Sequence, residues 1–455
     1  MKKILILTII LLYTCFASAQ DIIGSWKGVL KFDNIEINLA FHLEKDGEYY
    51  KGTMDSPDQG TLGIPLSSVV FLDNRDVIIE HKEINFKYEG KYLQDTIRGI
   101  CRQNGFSFPL DLVRGKVEFL RPQEPKPPYP YPSEEVYFLN DEAGIRLAGT
   151  LTYPSQGTKF PAVVLVSGSG AQDRNEELMG HKPFLVIADY LTRNGIAVLR
   201  YDDRGFGESE GNFASGTTSD FATDAMAAVK YLKTRSEINP AKIGLLGHSE
   251  GGTICFINAA QSKDISFIIT LAAPALSGDS IMMLQHREYI RTIGVDLEQW
   301  ICDGESQLMK AHEIVKKAKD STTLVNELHN FYKYSMPEGV SVDDNVIQNA
   351  VKALSTPWIR HFIKYNPKES IEKVTCPVFA INGEKDIQVN AAVNLKRIEK
   401  YLARNKNTTI KKYPNLNHLF QNCQKGTVDE YGQIEETISP EVLKDISGWI
   451  LKTAK

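Results

Sequence analysis

Two stretches of the chain place a serine in the pattern G-x-S-x-G: 247-GHSEG-251 around Ser249 and 207-GESEG-211 around Ser209. A serine hydroxyl is a poor nucleophile unless a neighbouring base takes its proton. The chemistry in question is acyl transfer, with a histidine base, an acid to orient it and N–H donors for the oxyanion. The pattern is short, so context must choose between the copies. A nucleophile elbow needs a strand running straight into a sharp turn and a helix starting directly after it. KIGLLG (242–247) reads as that strand and GGTICFINAA (251–260) as that helix, which makes Ser249 the candidate. Before Ser209 the strand-like AVLRYD (197–202) stops early, and the polar run NFASGTTS follows. DDRGFGESEG (202–211) therefore reads as a loop, ordered by Asp203 and Arg204.

Elbow enzymes place the partners in the order Ser, then Asp or Glu, then His. The strand-like CPVFAING (376–383) leads into Glu384-Lys385-Asp386, and Asp386 is the favoured acid, with Glu384 its local rival. After Asp386 the chain contains one histidine, His418, in a loop that follows TTIKKYP. An imidazole base works only when neutral, which predicts activity falling below about pH 6.5. For the oxyanion, one donor is the backbone N–H of Glu250, at the positive end of the helix after the elbow. The second is Ser169 N–H, in the loop VVLVSGSGAQDR (163–174), where Gly168 and Gly170 let the backbone turn inward. Asp173 and Arg174 are expected to brace that loop by an ion pair. The carboxylate of Glu250, beside a developing negative charge, needs a partner, and Arg174 or Arg204 is the expectation.

These residues need a scaffold that brings distant loops to one edge. From residue 135 to 455, strands GIRLAGTLTYP, AVVLVSG, AVLRYD, KIGLLG, FIITLAAP and CPVFAING alternate with amphipathic helical segments. That rhythm predicts an α/β fold with a mostly parallel sheet and its site at the carboxyl ends of the strands. Residues 277–370 interrupt it with helical periods only, and read as an inserted helical cap that would shape a pocket. Within the cap, Trp358 and Arg360 are candidate substrate-binding residues.

The remainder is organised differently. Residues 20–118 read as short alternating strands, a small closed all-β domain that is a barrel or a sandwich. Its opening Gly24-x-Trp26 resembles the start of lipocalin-like barrels. Residues 119–134 hold six prolines between Arg121 and Pro132 and read as a stiff linker. Residues 1–19 read as a signal peptide, with Lys2 and Lys3, a short apolar run and cleavage after Ala19; export to the periplasm or outside is the expectation. The apolar run is too short to span a bilayer comfortably, and Cys15 lacks a convincing lipoprotein context.

Composition narrows the partners. The chain has 455 residues, 42% hydrophobic and 24% charged, with a net charge of −5. The negative balance argues against nucleic acid. Dispersed cysteines and histidines argue against a disulfide framework and against a metal. No cofactor is implied.

Seven motifs then occur in order: SGSGAQDRNE, RYDDRGFGESEG, GHSEGG, TPWIRHFIKYNP, CPVFAINGEKDIQV, LNHLFQ and YGQIEETISPEVLKDISGWI. Over 135–455 they resemble a bacterial family of α/β-hydrolase esterases with a small N-terminal β domain, related to the dienelactone-hydrolase and prolyl-oligopeptidase-like branch. The resemblance implies a triad on Ser249, Asp386 and His418 and a serine carboxylesterase acting on short-chain acyl esters. Two positions depart from the pattern. Ser167-Gly168 stands where His-Gly usually opens the oxyanion loop, and Ser249 stands where dienelactone hydrolases use Cys. The rival activity is a serine exopeptidase of the prolyl-oligopeptidase-like type, although such relatives usually carry a large β-propeller and residues 20–118 are too few for one. A secreted binding protein with a vestigial hydrolase domain is the non-catalytic alternative.

Overall fold

A computed structural model describes residues 21–32, 35–47, 49–59, 61–116, 120–292, 298, 304–334 and 343–454. The leader-like residues 1–19, Cys302 and parts of the cap lie outside them. The chain divides into two compact units at Leu120/Arg121.

In the first unit, the nine strands are β1 (Gly24–Phe32), β2 (Ile35–Asp46), β3 (Tyr49–Ser56), β4 (Thr61–Pro65), β5 (Ser68–Phe71), β6 (Asp76–His81), β7 (Phe86–Leu93), β8 (Thr96–Gln103) and β9 (Phe106–Arg114). Consecutive antiparallel pairings, closed by β1 on β9 and by β3 on β2 and β5, wrap them into a barrel. Period-two alternation produces this: Val77, Ile79 and His81 of β6 are buried while their neighbours are half-exposed. Trp26 is fully buried in the interior with Phe41, Tyr88 and Leu112. Its indole N–H donates to the Ile22 carbonyl at 2.7 Å, so no polar group is stranded there.

The second unit has the α/β-hydrolase fold. Its eight-stranded sheet runs β10 (Ser133–Asn140), β11 (Ile145–Thr152), β13 (Ala197–Tyr201), β12 (Phe160–Val166), β14 (Ile238–His248), β15 (Phe267–Leu271), β16 (Val378–Gly383) and β17 (Thr408–Tyr413). The first two strands are antiparallel and the rest, from β13 onward, are parallel. A strand covered on both faces must be apolar on both, and β12 (FPAVVLV) shows why its sequence reads as a continuous run. Ala162, Val164 and Val166 enter the core on one side, Val163 and Leu165 the core on the other.

The helices that cover the sheet and position the site are α1 (Pro183–Arg193), α2 (Thr218–Thr234) and α3 (Glu250–Gln261). A capping box of Thr217 and Asp220 starts α2. Between β15 and β16 the described residues form only helices: α4 (Gly278–Thr292), α5 (Ser306–Lys317), α6 (Ser321–Tyr334), α7 (Asp344–Ser355), α8 (Pro357–Lys364) and α9 (Lys368–Ile371). They hold a small core of their own, with Val315, Leu324, Leu328, Val351 and Ile363. After β16 come α10 (Ala391–Tyr401), α11 (Val428–Tyr431) and α12 (Pro440–Thr453).

The proline-rich segment is part of the second unit rather than free of it. The Arg121 guanidinium donates to the carbonyls of Met179, Gly180, Gly432 and Ile434, and Gln123 receives the amides of Thr437 and Ile438. Cys101, Cys255, Cys376 and Cys423 are free. No described helix is long and apolar enough to cross a membrane.

Candidate active site

The sheet aims three loop regions at one edge. β14 ends at His248, α3 begins at Glu250, and Ser249 between them has φ 52° and ψ −117°. A non-glycine residue in this region is strained, and the surrounding contacts must hold it there. Two glycines permit the approach. A Cβ on Gly247 would lie 2.1 Å from the Gly251 carbonyl oxygen, and one on Gly251 would lie 2.1 Å from that of Val166. The sharp turn is thus the reason for both glycines of 247-GHSEG-251.

The second copy of the pattern has another role. Ser209 is buried, donates its hydroxyl to the Asp202 carbonyl at 2.7 Å and accepts the Ala148 amide at 2.9 Å. Its oxygen fastens the loop after β13 to β11.

Asp386 and His418 meet across the ends of β16 and β17. His418 Nδ1 lies 2.7 Å from Asp386 Oδ2, and both residues are buried. The other oxygen, Asp386 Oδ1, accepts the amides of Gln388 and Val389, both at 2.8 Å, which fixes the plane of the carboxylate. Glu384 is not part of this arrangement; it pairs with Lys412 at the surface. Ser249 and His418 line the same cavity, of about 440 Å³, together with Gly168, Ser169, His248 and Trp358.

The loop after β12 approaches the elbow closely: a Cβ on Gly168 would lie 3.3 Å from Ser249 Cβ. The Gly168 amide is already used, donating to Glu176 Oε1 at 2.8 Å. That leaves the Ser169 amide as the next donor along the loop. Asp203 shapes the loop from beneath, accepting Ser167 Oγ at 2.7 Å and the Gln172 amide at 2.9 Å. Arg174 does not pair with Asp173. It grips Asp202 with two bonds of 3.0 and 2.7 Å and also binds Glu135, while Asp173 caps the turn at Asn175 and Glu177. Arg204 pairs with Asp224 on α2.

Both arginines therefore leave Glu250 to other partners, against the sequence expectation. Its Oε1 accepts Thr218 Oγ1 at 2.6 Å and Trp358 Nε1 at 2.8 Å. Burial raises the carboxyl above its usual range, which moves it towards the neutral form beside the elbow. Trp358 lines the cavity and ties α8 to the first turn of α3. Arg360 does not line it: its guanidinium donates to Ser321 on α6, within the helical insertion.

Burial pushes the Asp203 carboxyl up to about 8. The unfolded value is about 3.9, so between those limits the folded chain keeps a proton the unfolded chain has lost. Stability from this group then falls as pH rises across that window. Asp203→Asn, whose amide can accept from Gln172 and donate to Ser167, is expected to flatten the decline of Tm between pH 5 and pH 8. Equal slopes for variant and wild type would refute this.

Residues 143–405 match the Peptidase S15 family, described as X-Pro dipeptidyl-peptidase (S15 family). The chain belongs to this family. Among individual relatives, the S15-family chain is 27% identical over 307 residues to esterase EstD of Thermotoga maritima, a match covering 67% of this chain and 66% of EstD. It is also 23% identical over 249 residues to an uncharacterized 31.7 kDa protein of Escherichia coli, covering 53% and 77% respectively. Structures with a similar course include the Pyrococcus furiosus esterase Pf2001, with TM-score 0.44, 16% identity and 75% and 100% coverage. Est1E of Butyrivibrio proteoclasticus with bound ferulic acid gives TM-score 0.41, 20% identity and 70% and 98% coverage.

Two residues of the cavity had no announcing signal in the sequence. Glu176 and His248 line the cavity, both buried, with His248 Nδ1 3.0 Å from Glu176 Oε1. His248 is a variable position of G-x-S-x-G, and Glu176 lies 72 positions away in the chain. Among the described residues no group of His, Cys, Asp and Glu is arranged to hold a metal.

Proposed function

We propose that the chain is a serine carboxylesterase that hydrolyses short-chain acyl esters through an acyl-enzyme on Ser249. The observation that carries this reading is the convergence of Ser249 and the Asp386-bound His418 on one cavity at the sheet edge. In the proposed cycle, His418 Nε2 takes the Ser249 proton as Oγ attacks the ester carbonyl. Asp386 keeps the Nδ1 proton in place and stabilises the imidazolium. The amides of Glu250 and Ser169 hold the oxyanion, and the α3 dipole adds to them. His418 returns its proton to the departing alkoxide, and a water deprotonated by the same nitrogen releases the acid. The wall of Leu178, Met179, Met282, Ile359, Phe362 and Leu419 suits an apolar acyl or alcohol group. A volume of about 440 Å³ lies in the lower half of the usual ligand-pocket range, which favours short chains.

The family description favours a second reading, removal of X-Pro dipeptides. An exopeptidase must recognise a free peptide N-terminus, and an ammonium group in a largely apolar pocket requires an anionic partner. Glu176 supplies the one carboxylate among the described lining residues, and its Oε1 is committed to Gly168 and His248. This favours the ester. The test is turnover of p-nitrophenyl acetate and butyrate against Gly-Pro-p-nitroanilide with purified protein. Rapid ester cleavage with anilide turnover at background is expected; anilide kcat/KM equal to or above that of the esters would overturn the proposal.

A further inference from the structure

His248 stands immediately before Ser249, and both of its ring nitrogens face acceptors. Nδ1 lies 3.0 Å from Glu176 Oε1, and Nε2 lies 3.0 Å from the backbone carbonyl oxygen of His418. A neutral imidazole has one N–H and one lone pair, so it cannot donate to both. A backbone carbonyl has no proton to offer, so the His418 side requires Nε2–H. Glu176 Oε1 also receives the Gly168 amide at 2.8 Å, the coordination expected of an ionised carboxylate oxygen. Nδ1 then carries a proton as well.

We propose that His248 is a permanent imidazolium, paired with the Glu176 carboxylate, and that the pair are positioning residues for the reaction at Ser249. Three loops are joined by it. Glu176 holds the loop after β12 through Gly168, His248 is continuous with the elbow, and its second N–H holds the main chain of His418 itself. The His248 and His418 rings are 4.7 Å apart between centroids. Glu176 Oε1 is shared between the Gly168 amide and His248 Nδ1.

The titratable groups around the His248 ring are Glu176 from the loop after β12, His418 from the loop after β17 and Asp386 from the loop after β16. Asp203, after β13, faces Glu176. Burial opposes the charge on His248, and Glu176, the His418 carbonyl and Asp386 together outweigh it, so proton affinity is raised. Glu176 pays for its place with backbone strain, at φ 52°.

The inference rests on Ser249 and His418 being nucleophile and base, and two measurements separate its failure from failure of that reading. The first needs no turnover: ¹⁵N-correlated NMR of imidazole resonances in the full chain, with His248 assigned by their loss in His248→Asn. Two protonated ring nitrogens persisting to pH 8 are expected; one unprotonated nitrogen at pH 7 would overturn the proposal whatever the enzyme does. The second is the kcat and KM of ester hydrolysis by Glu176→Gln, measured beside its melting curve. Glutamine is isosteric but leaves the cation without a counter-charge, so His248 loses a proton and one of its two bonds. A fall in kcat of about 10–100-fold, the usual size for supporting residues of a site, is expected with KM little changed. A variant that keeps the wild-type kcat, or that loses rate only in step with its loss of folded protein, would show a packing role only. An inactive wild-type protein with a doubly protonated His248 would overturn the esterase reading and leave the ion pair standing.

Discussion

Ser249→Ala is expected to lower kcat for p-nitrophenyl acetate by roughly 10⁶-fold, the loss seen when a serine hydrolase is deprived of its nucleophile. The substitution removes one oxygen from a residue whose backbone is set by its neighbours. Gly247, Gly251 and the Val166 carbonyl fix the turn through the close approach of their backbones. Alanine bears the φ of 52° no worse than serine does, so Tm should stay within about 2 °C. The residual rate measures what the oxyanion donors and binding contribute without covalent chemistry. Ser209→Ala is the internal control. That hydroxyl holds Asp202 to β11, so its removal should cost stability and leave the rate per folded molecule almost unchanged. A loss confined to Ser209→Ala would reverse the assignment.

Asp386→Asn carries the second large effect, a fall in kcat of about 10⁴-fold, for a reason of proton position rather than of charge alone. Asp386 Oδ1 accepts two amides, from Gln388 and Val389, and an asparagine there keeps its carbonyl oxygen in that place. Its NH₂ group then faces His418 Nδ1 and donates to it. The imidazole is driven to the tautomer with its proton on Nε2, where it cannot accept one from Ser249. The fold should be unaffected, because both backbone bonds survive. Steady-state kinetics with a melting curve checks both halves, and a loss below about tenfold would mean that Asp386 does not orient the base.

Much of this arrangement was readable in the sequence because local chemistry wrote it there. The elbow demanded a strand, two glycines and a helix around one serine, and β14 and α3 stand on either side of Ser249 as the apolar run and helical period require. β12 is a continuous apolar run, and β15 is broken only by Thr270, because helices cover both faces of a parallel sheet. The order of the chain brought out His418, since no other histidine follows Asp386. The barrel was less determined. Alternation predicts strands but not closure, and the choice between barrel and sandwich turned on β3 pairing with β2 and β5.

Side-chain partners across long sequence separations were not legible. Glu250 was expected to find an arginine, but Arg174 and Arg204 are taken by Asp202 and Asp224, and Thr218 and Trp358 reach the carboxyl instead. Arg360 was expected in the pocket. It is two residues from Trp358, and on a helix residues two apart do not share a face. One indole lines the cavity, while the guanidinium turns to Ser321. The Glu176–His248 pair left no trace for a similar reason: its sense lies in hydrogen-bond bookkeeping, which exists only once the loops are assembled.

The central claim is that Ser249 is the activated nucleophile. It is tested most directly by reacting the full-length protein with a fluorophosphonate and locating the adduct by intact mass and peptide mapping. One adduct per chain on the peptide containing Ser249, formed within minutes at pH 8 and absent in Ser249→Ala, is the predicted result. No adduct, or one on Ser209 or on any other serine while Ser249 stays unmodified, would contradict it.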